Sequence, residues 1–300
     1  MNDRFLVIVN PAAGGGRAAG LLGPVLERLR ASGLDIEVKH TTALGHATEL
    51  ARRAWAEGRR KFISVGGDGT SYEIVNGLFP VQSGGEAPTL GFLPLGTGNS
   101  FLRDFSDRGV EYGIESLIAR RSRKCDVLRL CHSEGVLHYI NILSIGFSAD
   151  VATLRQQRFS TWGEIGYQAS IFICLTRFRR RPFPLTANGD GNIDRRPCLF
   201  LTFNNSKFTG GTMMIAPTAQ VDDGFIEYVR WGPIGRLGLI RNLPRLYDGT
   251  HIQHPLAEVR KVERVKFQLD APVDVMIDGE VLRLECQTLD VLPGALNVVL

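Results

Sequence analysis

The sequence predicts an α/β N-terminal domain built on a mainly parallel sheet, followed by a C-terminal antiparallel domain of β-sandwich-like character. Three observations carry this. Up to about residue 122, short apolar runs alternate with stretches of helical periodicity, the pattern of βαβ units. Three of the predicted strands end in glycine-rich or polar loops. Past the basic run Arg120–Lys124, period-two segments dominate, as in half-buried antiparallel strands. A length of 300 residues also favours two domains over one. The expected domains are residues 1–123 and 124–293; whether the apolar end, 294–300, returns to the first domain as a strand is left open by the sequence.

In order, the first half reads as strand Phe5–Val9, helix Arg17–Ala31, strand Leu34–Lys39, helix Ala47–Ala56, strand Phe62–Val65, helix Ser71–Leu78, strand Thr89–Leu93, then helices through Arg121. The second half offers strands at Val127–Leu130, Val136–Ile142, Cys198–Phe203, Phe225–Trp231, Val262–Leu269, Val273–Ile277 and Val281–Leu284. Helical insertions fall near Asp150–Gln157, Glu164–Phe178 and Ile234–Tyr247.

The three loops are Asn10-Pro11-Ala12-Ala13-Gly14-Gly15-Gly16, Gly66-Gly67-Asp68-Gly69-Thr70 and Pro94-Leu95-Gly96-Thr97-Gly98-Asn99-Ser100. In parallel sheets, ligands sit beyond the carboxyl ends of strands, which is where these loops fall. Glycines let backbone N–H groups close on phosphate oxygens, a following helix N-terminus favours negative charge, and a carboxylate such as Asp68 suits the Mg²⁺ that phosphates carry. A plain tight turn would not call for Asp and Thr beside the glycines. The middle loop is not a dinucleotide fingerprint, since Ser71 stands where the third glycine belongs, and it is not a P-loop, since no Gly-Lys-Ser/Thr follows.

Composition narrows the classes. The formal net charge of +4 is too small to argue for nucleic acid, yet it suits a basic face that meets phosphate or anionic lipid. Five scattered cysteines, odd in number and without a C-x-x-C pair, indicate neither a disulfide framework nor a zinc site, which fits a reducing cytoplasm. No apolar stretch reaches the roughly 18 residues of a membrane span, so membrane contact is expected to be peripheral, at the cytoplasmic face. The apolar segment Ile165–Phe178, ending in Arg177-Phe178-Arg179-Arg180-Arg181, suits such contact; a helix packed on the sheet is the equal alternative. A homodimer stays open, because nothing in the sequence decides oligomeric state.

With these loops in this order, the chain resembles the diacylglycerol kinase catalytic family in its bacterial lipid-kinase branch, related to sphingosine and ceramide kinases. The marks are Val9-Asn10-Pro11 with its glycines, Gly66–Thr70, Leu93–Asn99, Asp126, Asn141 with Gly146-Phe147, Asp222-Asp223-Gly224, Ile277-Asp278-Gly279-Glu280 and Leu292–Leu296. The resemblance implies a fold shared with NAD kinase, an interdomain cleft, ATP and Mg²⁺ as cofactors, and a membrane lipid as acceptor. It implies ATP contacts from Asn10, Pro11, Ala12, Ala13 and Gly14, from Thr41, from Gly66, Gly67, Asp68, Gly69, Thr70, Ser71 and Tyr72, and from Thr97 and Asn99. Thr42 could serve as well as Thr41; the spacing from Gly45 favours Thr41.

Glu280 is the implied proton acceptor, with Asp278 and Asp68 in the catalytic set; by sequence alone Asp278-Gly279 also reads as a hairpin turn. Asp68 and Asp126 are the implied metal-side carboxylates. A structural Mg²⁺ is implied on Asp223 and the carbonyls of Gln220 and Phe225. The chain departs from the family at Ser100, where many bacterial members carry aspartate, and Asp104 lies one helical turn later. That puts the metal network and the accepted head group in question. The rival readings are an NAD kinase, disfavoured because Asn99-Ser100 stands where that family has an Asn-Glu pair, and a nucleotide-binding regulator without catalysis, disfavoured because Asp68 and Glu280 are both kept.

Overall fold

A computed structural model describes residues 4–79, 85–96, 99–159, 163–176 and 180–300. The chain divides into two units, Met1–Val127 with Leu292–Leu300, and Leu128–Val291.

Unit 1 begins β1 (Phe5–Val9), α1 (Arg17–Ala31), β2 (Ile36–His40), α2 (His46–Ala56), β3 (Lys61–Gly66), α3 (Asp68–Leu78), β4 (Thr89–Pro94), α4 (Ser100–Arg103), α5 (Val110–Ala119) and β5 (Ser122–His132). Its strands run β2-β1-β3-β4, all parallel, and Asn297 and Val298 of the chain's last strand add in parallel beside Thr89 and Leu90. The open return of the C-terminal run to the first unit is thereby decided. Because the sheet is covered by helices, its strands are continuous apolar runs: Val7, Ile8, Val9, Phe62, Ile63 and Val65 are fully buried. One face packs on Leu22, Leu26 and Leu29 of α1 and on Ile114 and Leu117 of α5.

Unit 2 takes in the end of β5 and continues with β6 (Gly135–Tyr139), β7 (Ile142–Gly146), α6 (Phe147–Arg158), α7 (Gly163–Thr176), β8 (Leu185–Ala187), β9 (Phe200–Asn204), β10 (Phe208–Thr209), β11 (Met213–Met214), β12 (Ile226–Trp231), α8 (Arg236–Asn242), α9 (Arg245–Asp248), β13 (Ala257–Val262), β14 (Arg264–Phe267), β15 (Val273–Ile277), β16 (Glu280–Leu284) and β17 (Cys286–Val299), whose end lies in unit 1. Strands β13-β12-β9-β7-β15-β16 form an antiparallel sheet of six. Its alternate side chains, with Trp231, Phe200 and Val229 at the centre, pack on Leu175 of α7, Leu239 of α8 and Leu246 of α9.

Two predicted strands are each divided in two. Val136–Ile142 breaks at Ile140-Asn141, because the N–H groups of Ile140, Asn141 and Ile142 turn to the Asp278 carboxylate and not to a ladder. Val262–Leu269 breaks at Glu263, where the chain changes partners: β13 pairs with β12, while β14 pairs with β8 and with Thr288–Asp290 of β17. Apolar periodicity runs through both breaks and so does not reveal them.

Candidate active site

Strand order in unit 1 sets the ends of β1, β2, β3 and β4 side by side, so the loops that follow them meet. Asn10 N donates to Val65 O at 2.9 Å, Thr41 N to Val9 O at 2.8 Å, and Gly96 N to Gly66 O at 2.9 Å. The first loop closes as an Asx turn, with Ala12 N donating to Asn10 Oδ1 at 3.0 Å, and the Asn10 amide lies 3.5 Å from Thr70 Oγ1. Gly14, Gly15 and Gly16 then follow with φ of 62°, 69° and 87°, a left-handed run that β-carbons would strain, and lead into α1.

The middle and third loops touch backbone to backbone. A Cβ on Gly96 would fall 2.5 Å from Gly67 Cα, and one on Gly66 would fall 2.3 Å from Thr70 Oγ1. Glycine is required there by proximity.

Helix α3 starts at Asp68, three residues before the sequence expectation, with extended Gly67 as its N-cap. Asp68 therefore occupies the first turn, where helices leave N–H groups without intrahelical partners and favour a negative charge. Its carboxylate accepts the Ser100 backbone N–H at 2.8 and 2.9 Å and the Phe101 N–H at 3.5 Å, and the Ser100 hydroxyl also bonds to it. Burial pushes the Asp68 carboxyl above its ordinary value, and these hydrogen bonds oppose that shift. Asn99, at φ 43°, spends its amide on Pro94 O (3.2 Å) and Gly96 O (2.7 Å), so it shapes the third loop from within. Thr97 lies outside the described residues. Ser71 and Tyr72 are buried on α3, Ser71 donating to Ser64 Oγ at 3.0 Å.

Glu73 is a residue that pattern reading passed over. Its carboxylate accepts Gly45 N at 2.9 Å and Ala47 N at 3.0 Å, while its backbone oxygen takes the Thr48 hydroxyl at 2.8 Å. It thus caps α2 from α3 and fixes the Thr41–Gly45 stretch. A glutamate one turn into a helix carries no local signature, and only the packing of α2 on α3 exposes its role.

Asp126, 1% exposed, accepts the Gly294 N–H at 2.7 Å within unit 1. That bond ties the first strand after the basic run to the returning C-terminal strand.

In unit 2, Ile277 pairs with Glu280 across a two-residue turn whose members, Asp278 and Gly279, both have positive φ, 47° and 92°. This is the I′ geometry that twisted hairpins prefer. The Asp278 carboxylate, 2% exposed, accepts three successive N–H groups, from Ile140 (3.1 Å), Asn141 (3.2 Å) and Ile142 (2.8 Å), and its own N–H donates to Ile142 O. Asp278, expected in the catalytic set, is thus the anchor of the turn that presents half-buried Glu280. Asn141 extends the anchor, its side-chain oxygen taking the Ser206 hydroxyl.

The Asp223 loop does not form the expected metal site. One Asp223 oxygen accepts the Phe225 N–H at 3.0 Å, and the other pairs with Lys261 Nζ at 2.6 Å. An ammonium already pairs with the Asp223 carboxylate and is also drawn by Glu227, so the donor set does not fit a resident divalent cation. Among the described residues no group of three or more His, Cys, Asp or Glu side chains is placed to hold a metal.

Comparison with known proteins gives the family. The model named Diacylglycerol kinase catalytic domain matches residues 4–130, and the YegS C-terminal NAD kinase beta sandwich-like domain matches residues 141–300. The chain belongs to the diacylglycerol kinase catalytic family. It is a lipid kinase by class, and the resemblance read from the loops is borne out, as is the pairing of an α/β unit with an antiparallel one. A diacylglycerol kinase of Mycobacterium tuberculosis (strain H37Rv) is 26% identical over 99% of this chain and 94% of its own length. One of Bacillus subtilis (strain 168) is 25% identical over 92% and 89%. A solved structure from Bacillus anthracis str. Sterne shares the fold with TM-score 0.76 at 23% identity, covering 99% of this chain and 97% of that one.

Proposed function

We propose that this lipid kinase moves the γ-phosphoryl group of ATP to a hydroxyl of a diacylglycerol-like lipid at the cytoplasmic surface of a membrane. The lipid oxygen attacks the γ-phosphorus, the bond from that phosphorus to the β–γ bridging oxygen breaks, ADP leaves, and the proton of the hydroxyl goes to Glu280. Phosphate contacts come from the N–H groups of the Asn10–Gly14 and Gly66–Thr70 loops and from the first turn of α3. Magnesium enters with ATP as part of the substrate, and Asp68 is the carboxylate of this loop cluster suited to it.

One observation supports the reading above the others: the middle loop, stripped of side-chain bulk where it meets Gly96, leads into a helix whose first residue is a carboxylate held by Ser100. Among the described residues no helix is long and apolar enough to cross a membrane, so the lipid would be met at its surface.

The test supplies radiolabelled ATP with diacylglycerol, phosphatidylglycerol, ceramide, sphingosine and NAD in parallel. Label in diacylglycerol alone is the expected outcome. Label in NAD alone would make the chain an NAD kinase, and label in no product would make it a nucleotide-binding regulator. Glu280→Gln should cut kcat by roughly 10²–10⁴ with ATP binding retained.

A further inference from the structure

We infer that α8 and α9 form the surface by which unit 2 docks on an anionic bilayer. The inference rests on the lipid-kinase reading for its purpose, although its test involves no turnover.

The segment Gly232–Tyr247 is amphipathic in an unusual sense. Ile234, Leu239 and Leu246 are buried against the Trp231 and Phe200 core, which is ordinary. The opposite face of α8 is where a soluble surface would be polar, yet Leu237 is 83% exposed and Ile240 52%, and Tyr247 on the neighbouring α9 is 45% exposed. On α8, positions 237, 240 and 241 are spaced i, i+3 and i+4 and so share one side of the helix. Large apolar side chains grouped on one exposed face mark an interaction site more often than scattered ones do.

Charge selects the partner. From Gly232 to Asp248, the end of α9, three arginines, Arg236, Arg241 and Arg245, stand exposed against a single acidic residue, Asp248, so the surface keeps a positive excess. Arg180 adjoins Gly235, Arg236, Leu237 and Gly238 around a shallow surface depression. Arg236 Nη2 also donates to Thr176 O at 2.8 Å, tying α8 to the end of α7, where Phe172 is 70% exposed. Leucine, isoleucine and aromatic side chains interleaved with arginines, on a short helix too polar to span, are what an interfacial helix presents to acyl chains and phosphate head groups.

The experiment is sedimentation of the full chain, without ATP, on phosphatidylcholine vesicles with and without 30% phosphatidylglycerol. Each basic residue near an anionic surface contributes on the order of 1 kcal/mol, so Arg241→Glu with Arg245→Glu should weaken binding to the anionic vesicles by tenfold or more. Leu237→Ser with Ile240→Ser should weaken it comparably, and neither pair should alter the melting temperature or the turnover of a dispersed short-chain lipid acceptor. Unchanged sedimentation of both pairs would overturn the inference, as would equal binding of the parent protein to neutral and anionic vesicles. A parent dimer converted to monomer by the Leu237/Ile240 pair would assign the face to a second copy and likewise overturn it. Because vesicle binding is read without phosphoryl transfer, a failed kinase assay and a failed docking assay remain distinguishable.

Discussion

Ser100 gives its backbone N–H to both carboxylate oxygens of Asp68, at 2.8 and 2.9 Å, and adds its hydroxyl to the same group. Neutral donors thus hold Asp68. Ser100→Ala keeps the backbone bond and should cost only about 0.5–1.5 kcal/mol. Ser100→Asp sets a like charge against Asp68 at a site 1% exposed, so it should lower the melting temperature well beyond the alanine variant. Calorimetry of the two variants decides it, and equal melting temperatures would contradict the proposed opposition of charges.

Asp278 acts on Glu280 through the turn between them. Asp278→Ala removes the acceptor for three buried N–H groups and should destabilise unit 2 by about 3 kcal/mol or more. Asp278→Asn is not a mild change here, since its NH₂ would face N–H donors with only one oxygen left to serve them. Glu280→Gln leaves every one of these bonds in place. Denaturant unfolding should therefore separate the two sites: a large loss of stability for both Asp278 variants and almost none at Glu280.

Much of this arrangement is legible in the sequence. Four parallel-sheet strands follow from apolar runs, and the three loops follow from glycine, asparagine and aspartate at strand ends, because those residue types answer local demands of backbone conformation. What escapes is set by distant partners. Glu73 looks like any helical glutamate until α2 packs beside it. Asp278 reads as a turn residue or as a catalytic one, and only its contact with Ile140–Ile142, more than a hundred residues earlier, separates the roles. Asp223 reads as a metal ligand until Lys261, on a strand 38 residues later, reaches it.

A pH effect arises at His138, 2% exposed on β6 and opposite Arg129 across the β5–β6 pair. Burial, and then the Arg129 charge, lower its pKa from 6.5 to about 4, with Asp290 opposing. Between these values the unfolded chain binds a proton that the folded chain refuses. Stability is therefore fully present above pH 6.5 and is lost as pH falls toward 4, by about 3 kcal/mol at 1.36 kcal/mol per unit. In His138→Gln that part of the slope should vanish. Urea unfolding at pH 7, 5.5 and 4.5 measures it; a parent and a variant with parallel pH profiles would refute the assignment.

Lys261 decides whether the Asp223 loop takes a metal. Its ammonium, 2.6 Å from Asp223 and also attracted by the buried Glu227, supplies the positive charge that a divalent cation would otherwise bring. The parent protein should accordingly melt at the same temperature in EDTA and in millimolar Mg²⁺. Lys261→Met leaves Asp223 and Glu227 uncompensated, which gives the loop a hard-oxygen donor pair. That variant should be less stable in EDTA and should recover with added Mg²⁺ or Ca²⁺, because a ligand that binds only the folded state stabilises it in proportion to the logarithm of its concentration. A melting temperature of the parent that falls in EDTA would show that a cation sits there despite the lysine. A variant indifferent to both ions would show that the loop is a salt-bridged turn with no latent affinity for metal.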